Sequence, residues 1–301
     1  MKVLVSGSTG LIGTALCESL REDGAEVHRL VRRSPGKPDE IFWDPAGGEL
    51  DPDAVEGFDA VVHLAGAGIG DRRWTEARRK QIVDSRVLST RLLAERLAGA
   101  SGKPDVFISG SAIGFYGSRS KPVDEESGPA VPPDFLSEVT VAWEAATHTA
   151  EEAGIRTVHI RTGLVLAKQG GALGRLLLPS RLGVGGKLGG GHTWWSWISL
   201  QDEIRAIKHV MTAPLHGAVN LTAPNAVTNA HFTKALGRVL HRPAILPIPR
   251  FALELLLGKD LATALLFTTS RVEPTKLLES GFAFEHPDVE SALRHALGKP
   301  A

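Results

Sequence analysis

The chain has 301 residues, of which 43% are hydrophobic and 23% are charged, so it is long enough to bury a full globular core. Its 34 basic and 34 acidic residues cancel, which leaves no electrostatic footprint for nucleic acid or an anionic membrane. The single cysteine, Cys17, excludes an intramolecular disulfide framework, and no Cys/His cluster has metal-site spacing. The apolar stretches are too short to span a bilayer, and the N-terminus lacks a signal-peptide pattern. We therefore expect a cytoplasmic protein with no metal, nucleic-acid or membrane partner.

The first elements read as strand, glycine turn, helix and strand. An aliphatic run over residues 1–6 predicts a buried parallel strand, which enters a turn with Gly7, Gly10 and Gly13. The following helical pattern stops at Gly24, and residues 27–31 predict the second strand. In this context the glycines permit a tight turn, close approach of backbone N–H groups to a pyrophosphate, and close helix–sheet packing. The turn predicts a dinucleotide site, which we extend to the remaining turn residues Thr9, Leu11 and Ile12.

The end of the second strand indicates which dinucleotide binds. NAD-binding proteins usually carry an acid about twenty residues past the glycine turn, where it binds the ribose hydroxyls. Here Arg32 and Arg33 stand at that point instead. A guanidinium binds a 2′-phosphate through charge-assisted hydrogen bonds, so the sequence predicts NADP(H), with Arg32 the better placed because it is nearer the strand. The alternative is that both arginines are solvated loop charges.

Further buried strands are predicted over residues 59–64, 106–112 and 155–163. Ligands of open parallel sheets bind at the carboxyl ends of the strands, so these ends should share one crevice with the glycine turn. We expect the cofactor to contact residues at the strand ends and on the helix predicted over 76–98: His63, Leu64, Ala65, Gly66, Gln81, Arg86, Ser109, Arg161 and Gly163. His63 is interpreted as packed or cofactor-lining rather than as an acid/base. For Arg86, an ordinary charged helix face is the alternative.

The motifs GSTGLIG, HLAGAGIGDRRW, SGSAIGFYG, RTGLVLAKQGGAL, WWSWISLQD and RVEPTKLLESGF carry a family resemblance. Over nearly its whole length the chain resembles an atypical branch of the short-chain dehydrogenase/reductase superfamily. This is an extended, NAD(P)-dependent epimerase/dehydratase-like family with a C-terminal extension of unknown role. The resemblance implies NADP(H) as cofactor and assigns the strand-end catalytic serine to Ser111. It is compatible with a homodimer, and it names no substrate.

The superfamily's Tyr-x-x-x-Lys pair is missing. In ordinary members the lysine lowers the tyrosine pKa so that the phenol acts as acid/base. Here Phe135 or Leu136 occupies the tyrosine position, and Val139 or Thr140 the lysine position. The only tyrosine is Tyr116, directly after the Ser111 strand end. It is a candidate proton donor from a different direction, or else a loop tyrosine that packs over the cofactor.

The C-terminal half has a looser pattern. Residues 183–192 form a glycine-rich loop of flap length, and Trp194, Trp195 and Trp197 suggest either a substrate wall or core packing. Asp202 is interpreted as helix capping, residues 217–221 as a strand returning to the sheet, and 229–240, 250–267 and 288–297 as helices. The predicted fold is a Rossmann-type doubly wound parallel α/β sheet with a smaller, mainly helical C-terminal lobe. Residues 1–165, with 195–225 returning, make the NADP-binding domain; 166–194 and 226–301 make the substrate-side lobe.

Two functions remain open at this point. One is an NADP(H)-dependent oxidoreductase or isomerase of atypical mechanism, in which Ser111, Tyr116 or an ordered water handles the proton on an unknown small-molecule substrate. The other is a non-catalytic regulatory protein that senses NADP(H). The flap and the tryptophans favour the first, and the missing pair favours the second.

Overall fold

The computed structural model describes residues 1–183, 185–244 and 246–300, and a parallel sheet of seven strands forms its centre. Val184, within the predicted flap, lies outside the described residues, as do Ile245 and Ala301. The strands are β1 (Lys2–Ser6), β2 (Glu26–Val31), β3 (Glu40–Phe42), β4 (Ala60–His63), β5 (Val106–Ala112), β6 (Arg156–Thr162), β7 (Leu164–Leu166), β8 (Trp194–Trp195), β9 (Trp197–Ser199), β10 (Gly217–Leu221) and β11 (Val227–Thr228).

The helices connect these strands and cover both faces of the sheet. They are α1 (Leu11–Glu22), α2 (Glu76–Gly99), α3 (Phe135–Ala145), α4 (His148–Glu152), α5 (Gly171–Arg181), α6 (Leu200–Thr212), α7 (Asn229–Leu240), α8 (Arg250–Leu257), α9 (Lys259–Ala262), α10 (Thr275–Glu279) and α11 (Val289–Ala296). In the part of the chain that the structure describes, no helix has the length and apolar content that crossing a membrane would require.

The sheet has the strand order β10-β6-β5-β4-β1-β2-β3, and every neighbouring pair is parallel. The strand order therefore reverses between β1 and β4, which is where a doubly wound sheet opens a crevice for a dinucleotide. The apolar faces of α1 and α6 form one core layer with the sheet. Residues of α2 and α4 form the other. The predicted Rossmann-type fold is confirmed, including the return of residues 217–221 to the sheet edge.

The C-terminal lobe packs around a separate core. Leu173 of α5, Phe232 of α7 and Leu293 of α11 contribute to it, together with Trp195 and Trp197. These two tryptophans are buried, so core packing is their role, whereas Trp194 is 37% exposed. The helix predicted over 250–267 is wrong as a single element. It breaks at Gly258, whose φ of +89° leaves the helical region, into α8, α9 and a π-helical turn at Thr263–Phe267.

The C-terminal segment of the chain packs against earlier segments. Val272 forms a β-bridge with Val123, and the Asn220 side chain at the sheet edge donates to the Glu273 carbonyl at 2.9 Å. The backbone N–H groups of Glu285 and His286 each donate at 2.9 Å to the fully buried carboxylate of Asp202. Asp202 is thus an anchor for the C-terminal segment, while Ser199 caps α6.

Candidate cofactor site

The glycine turn between β1 and α1 contains two glycines that the fold itself requires. Gly7 has a φ of +68°, and an added Cβ would lie 2.6 Å from the Leu64 carbonyl carbon at the end of β4. A Cβ on Gly13 would lie 2.2 Å from the Gly7 carbonyl oxygen. Both positions therefore exclude side chains because strand, turn and helix backbones meet there.

Gly10 is different, because it is exposed and has a φ of −78°. The nearest atom to an added Cβ would be the Gly7 carbonyl oxygen at 3.2 Å, so the fold does not strictly need a glycine here. Gly10 caps α1 without a side-chain hydrogen bond, and the first turn carries no acidic residue. The free N–H groups of the first helical turn, with Thr9 exposed beside them, form an uncovered anion site.

The two arginines after β2 differ in their partners. Arg33 makes a bidentate ion pair with Glu40, with Nη1–Oε2 and Nη2–Oε1 distances of 2.8 and 2.6 Å. The Arg33 hydrogen bonds, with that of the Gly36 N–H, lower the pKa of Glu40 to about 2. Arg32 is exposed, and no hydrogen bond or ion pair joins its side chain to any of residues 1–183, 185–244 or 246–300. The sequence alone does not show that Glu40 pairs with Arg33 and so distinguishes the two arginines.

His63 at the end of β4 lies in the protein interior. Its ring is fully buried between Ser6 Oγ at 2.6 Å and Ser89 Oγ at 3.1 Å. Burial, followed by the nearby Arg86 cation, lowers the pKa of His63 to about 3. The neutral ring ties β1, β4 and α2 together, as expected for a packed residue.

The chain after β4 passes Leu64 and Ala65, which lie against Gly7, and then reaches Gly66 beside the Arg86 side chain. Arg86 is 7% exposed, and its Nη1 donates to the carbonyls of Ala67 at 3.0 Å and Ile82 at 3.1 Å. Gln81 lies further out on α2 and accepts a hydrogen bond of 2.6 Å from Arg78. The structure thus brings Gly66 and Arg86 together at the crevice, with Gln81 at its outer side.

A buried polar network joins the ends of β5 and β6. The Ser111 hydroxyl donates to Glu144 Oε1 at 2.6 Å, and Arg161 binds both oxygens of Glu144 at 2.8 Å. Arg161 also donates to the Tyr116 hydroxyl at 2.9 Å, which in turn donates to Asn220 Oδ1 at 2.8 Å. The sequence predicts that Ser111, Tyr116 and Arg161 lie near one another, but it does not identify Glu144 and Asn220 as their partners.

This network decides what the Tyr116 hydroxyl can do. Tyr116 is fully buried, and burial raises its pKa to about 12. Its hydroxyl both donates and accepts within the protein, and the Arg161 guanidinium stacks with its Cζ 3.5 Å from the Phe115 ring centroid. A phenol held in this way binds the end of β5 to the sheet edge. Its part in proton transfer stays a prediction.

The helix that carries the catalytic pair in ordinary members is α3. Leu136 and Thr140 are one turn apart on it, and the Thr140 hydroxyl donates to the Leu136 carbonyl at 2.9 Å. Leu136 packs against Gly114, where an added Cβ would lie 3.3 Å from the leucine Cβ. This helix therefore presents an aliphatic side chain and an internally bonded hydroxyl in place of a phenol and an ammonium group.

Ser109 and Gly163 complete the predicted set. Ser109 is fully buried, and its hydroxyl bonds to the adjacent Gly110 carbonyl at 3.3 Å. Gly163 lies where β6 meets the C-terminal lobe, since an added Cβ would be 2.7 Å from the Ser196 carbonyl oxygen. Packing accounts for both residue types, and contact of these two residues with the cofactor stays a prediction.

Glu203 is a buried acid that the sequence did not single out. It lies on α6, is fully buried, and accepts a hydrogen bond of 2.8 Å from Thr162 at the end of β6. Its Oε2 has no partner among the described residues. Burial raises the pKa of Glu203 to about 8, so the carboxyl keeps its proton in the folded protein at neutral pH.

This acid should make stability fall as the pH rises. The folded protein holds the Glu203 proton up to about pH 8, whereas the unfolded chain releases it near its ordinary pKa of 4.5. Between these values the folded state binds more protons, so the free energy of unfolding decreases with pH. We expect Glu203→Gln to remove this component and to raise Tm at neutral pH by a few degrees relative to the wild type. Parallel Tm profiles of the two proteins from about pH 5 to about pH 8 would contradict the assignment.

The fold, the uncovered helix N-terminus and the glycine cradle define a dinucleotide-binding protein of the Rossmann class. The chain belongs to the NAD dependent epimerase/dehydratase family, whose model matches residues 3–222, and residues 248–296 match a domain of unknown function (DUF1731). It is 41% identical over 300 residues to the epimerase family protein Mb2239 of Mycobacterium bovis, covering 99% of this chain and 98% of the relative.

Solved structures give the same assignment. The crystal structure of the human epimerase family protein SDR39U1 (isoform 2) with NADPH is 36% identical and has a TM-score of 0.90 over 99% of both chains. A nucleoside-diphosphate sugar epimerase from Corynebacterium glutamicum is also 36% identical, with a TM-score of 0.80 over 99% of this chain and 58% of that one. The family resemblance expected from the motifs is confirmed.

Proposed function

We propose that this protein binds NADP(H), with the pyrophosphate on the N-terminus of α1 and the 2′-phosphate on Arg32. The observation that carries the proposal is the contrast between the two arginines: Glu40 holds Arg33, while Arg32 stands exposed at the end of β2. The residues present fit the cofactor because Gly10 keeps the helix N-terminus uncovered where the fold has room for a side chain. The NADPH bound to the human relative supports the same cofactor.

The experiment compares NADPH and NADH binding in the wild type, Arg32→Glu and Arg33→Met. A charge-assisted guanidinium–phosphate contact contributes about 1.5–3 kcal/mol, so Arg32→Glu should weaken NADPH binding by at least tenfold and leave NADH binding nearly unchanged. Arg33→Met should have a smaller effect, since Glu40 already neutralises that guanidinium. NADPH at about a hundred times its Kd should add about 2.7 kcal/mol of stability in the wild type. Equal affinity of the wild type for NADH and NADPH would refute the assignment of Arg32.

We infer that the bound cofactor serves an oxidoreductase or isomerase reaction on a small molecule, in a cytoplasmic and homodimeric protein. NADP(H) would supply the hydride chemistry. On the protein side, the Ser111 hydroxyl donates to the Glu144 carboxylate, which fixes its orientation. If turnover of a substrate is found, Ser111→Ala should reduce it strongly. Tyr116→Phe should reduce it less, because that hydroxyl already accepts from Arg161 and donates to Asn220; unchanged rates in both variants would exclude these proton donors.

A second candidate function, NADP(H) sensing without turnover, is favoured by a specific set of contacts. The loop after β4 borders the cofactor crevice, and Arg73 on it donates to the Leu256 carbonyl at the end of α8. Arg79 of α2 pairs with Asp260 of α9 at 2.6 Å, and Arg175 of α5 pairs with Asp71 at 3.1 Å. A change in this loop caused by cofactor binding would therefore act directly on the C-terminal lobe.

A further inference from the structure

Arg86 borders the half of the crevice in which the nicotinamide would bind. In a doubly wound sheet the dinucleotide crosses the switch point, with adenosine over the first half-sheet and the other nucleoside over the second. Here the first half is β1–β3, where Arg32 stands at the end of β2, and the second begins with β4. Arg86 lies against Gly66 and Ala67, directly after β4.

The Arg86 guanidinium is a buried cation that pairs with no carboxylate among the residues the structure describes. Its Nε is buried and has no partner within the described residues, and the carbonyls of Ala67 and Ile82 accept hydrogen bonds only from Nη1. On its other side, the Trp143 ring centroid lies 5.0 Å from Cζ. The charged group that acts on it is another cation, Arg78. Burial, followed by that like charge, lowers the pKa of Arg86 to about 10, so the group remains charged at neutral pH.

An unpaired buried charge is costly for a fold, and an added Cβ on Gly66 would approach Cζ within 3.2 Å. The guanidinium therefore packs directly on the Gly66 backbone, which borders the crevice. A molecule that binds in this half of the crevice therefore lies near a positive charge that no carboxylate among the described residues neutralises. The two redox forms of the cofactor differ by one hydride on the nicotinamide ring, so the oxidised ring is a cation and the reduced ring is neutral.

We propose that Arg86 makes this protein selective for NADPH over NADP⁺, by repelling the oxidised ring. This inference rests on the proposed binding of NADP(H). At an effective dielectric constant of about 20, two unit charges several ångström apart change an affinity ratio by roughly ten- to a hundredfold. The selectivity holds for turnover and for sensing alike, since it concerns binding alone.

The test is the pair of dissociation constants for NADPH and NADP⁺, measured by titration calorimetry in four proteins. The wild type should bind NADPH at least tenfold more tightly than NADP⁺. Arg86→Met, which keeps an unbranched apolar stem without the charge, should bring the ratio close to one. Arg86→Lys keeps the charge and should retain most of the selectivity. Arg91→Met removes an exposed cation from the same helix and should leave the ratio unchanged.

Other outcomes overturn the proposal. If Arg86→Met weakens the binding of NADPH and NADP⁺ equally, Arg86 contacts the phosphates or ribose that the two forms share. If the wild type binds both forms with equal affinity, the cation does not face the ring. If the wild type binds neither NADPH nor NADP⁺, the proposed function itself is wrong. This result differs from the two above, in which the cofactor still binds. Should Arg86→Met fail to fold, Arg86→Gln replaces it, since its amide can keep the bond to the Ala67 carbonyl.

Discussion

Gly13→Ala is expected to lower the free energy of unfolding by about 3 kcal/mol or more. Alanine is normally favoured over glycine in a helix by about 1 kcal/mol. At this position, however, the new Cβ would lie 2.2 Å from the Gly7 carbonyl oxygen and 2.9 Å from the Ser8 Cα. These are backbone atoms of the turn, so neither can move without displacing β1 or α1. Urea unfolding followed by circular dichroism measures the loss.

Gly10→Ala is the matched control in the same turn. Its backbone conformation suits alanine and its nearest contact is longer, so stability should change by less than about 1 kcal/mol. Its NADPH affinity should fall at least tenfold, because the methyl group stands where backbone N–H groups must approach the pyrophosphate. If Gly10→Ala folds and binds NADPH like the wild type, the glycine turn is not part of the cofactor site.

Arg161→Met should destabilise the protein by about 3–5 kcal/mol, since it leaves the Glu144 carboxylate buried without its partner. The double variant Arg161→Met/Glu144→Gln should recover part of this loss, because no unpaired charge then remains. The exposed pair of Arg271 and Glu273, 3.7 Å apart, provides the comparison, and Arg271→Met should cost less than about 1 kcal/mol. Additive effects of the Arg161 and Glu144 substitutions in urea unfolding would show that the pair is not coupled.

The glycine turn, the sheet strands and the family were predictable because each depends on local sequence. Each of these signals extends over no more than about ten residues of the sequence. They are the spacing of glycines, runs of β-branched residues and strand-end motifs. The preference for Arg32 over Arg33 came from its nearness to the strand. The structure adds the partner, Glu40, which lies on a short edge strand, β3, that periodicity did not reveal.

The polar network could not be derived in the same way. Glu144 lies on α3, Arg161 on β6 and Asn220 on β10, so their meeting depends on the crossovers from β5 to β6 and from β6 to β10. Likewise, Trp195 and Trp197 gave no signal that separates a substrate wall from core packing, and only tertiary contacts place them in the second core. Gly258 can be read in the sequence, but the helical periodicity on both sides of it predicts one continuous helix.

The way the last fifty or so residues are attached has a consequence for how this family is divided. The segment matched as a separate domain of unknown function supplies the Glu273 carbonyl that binds Asn220 and the N–H groups that bind Asp202. Asn220 and Asp202 belong to the portion matched as the epimerase family and are fully buried. A chain shortened before α8 would expose these polar groups and the sheet edge around them. The two matched segments therefore share buried hydrogen bonds, and we expect them to unfold together as one cooperative unit.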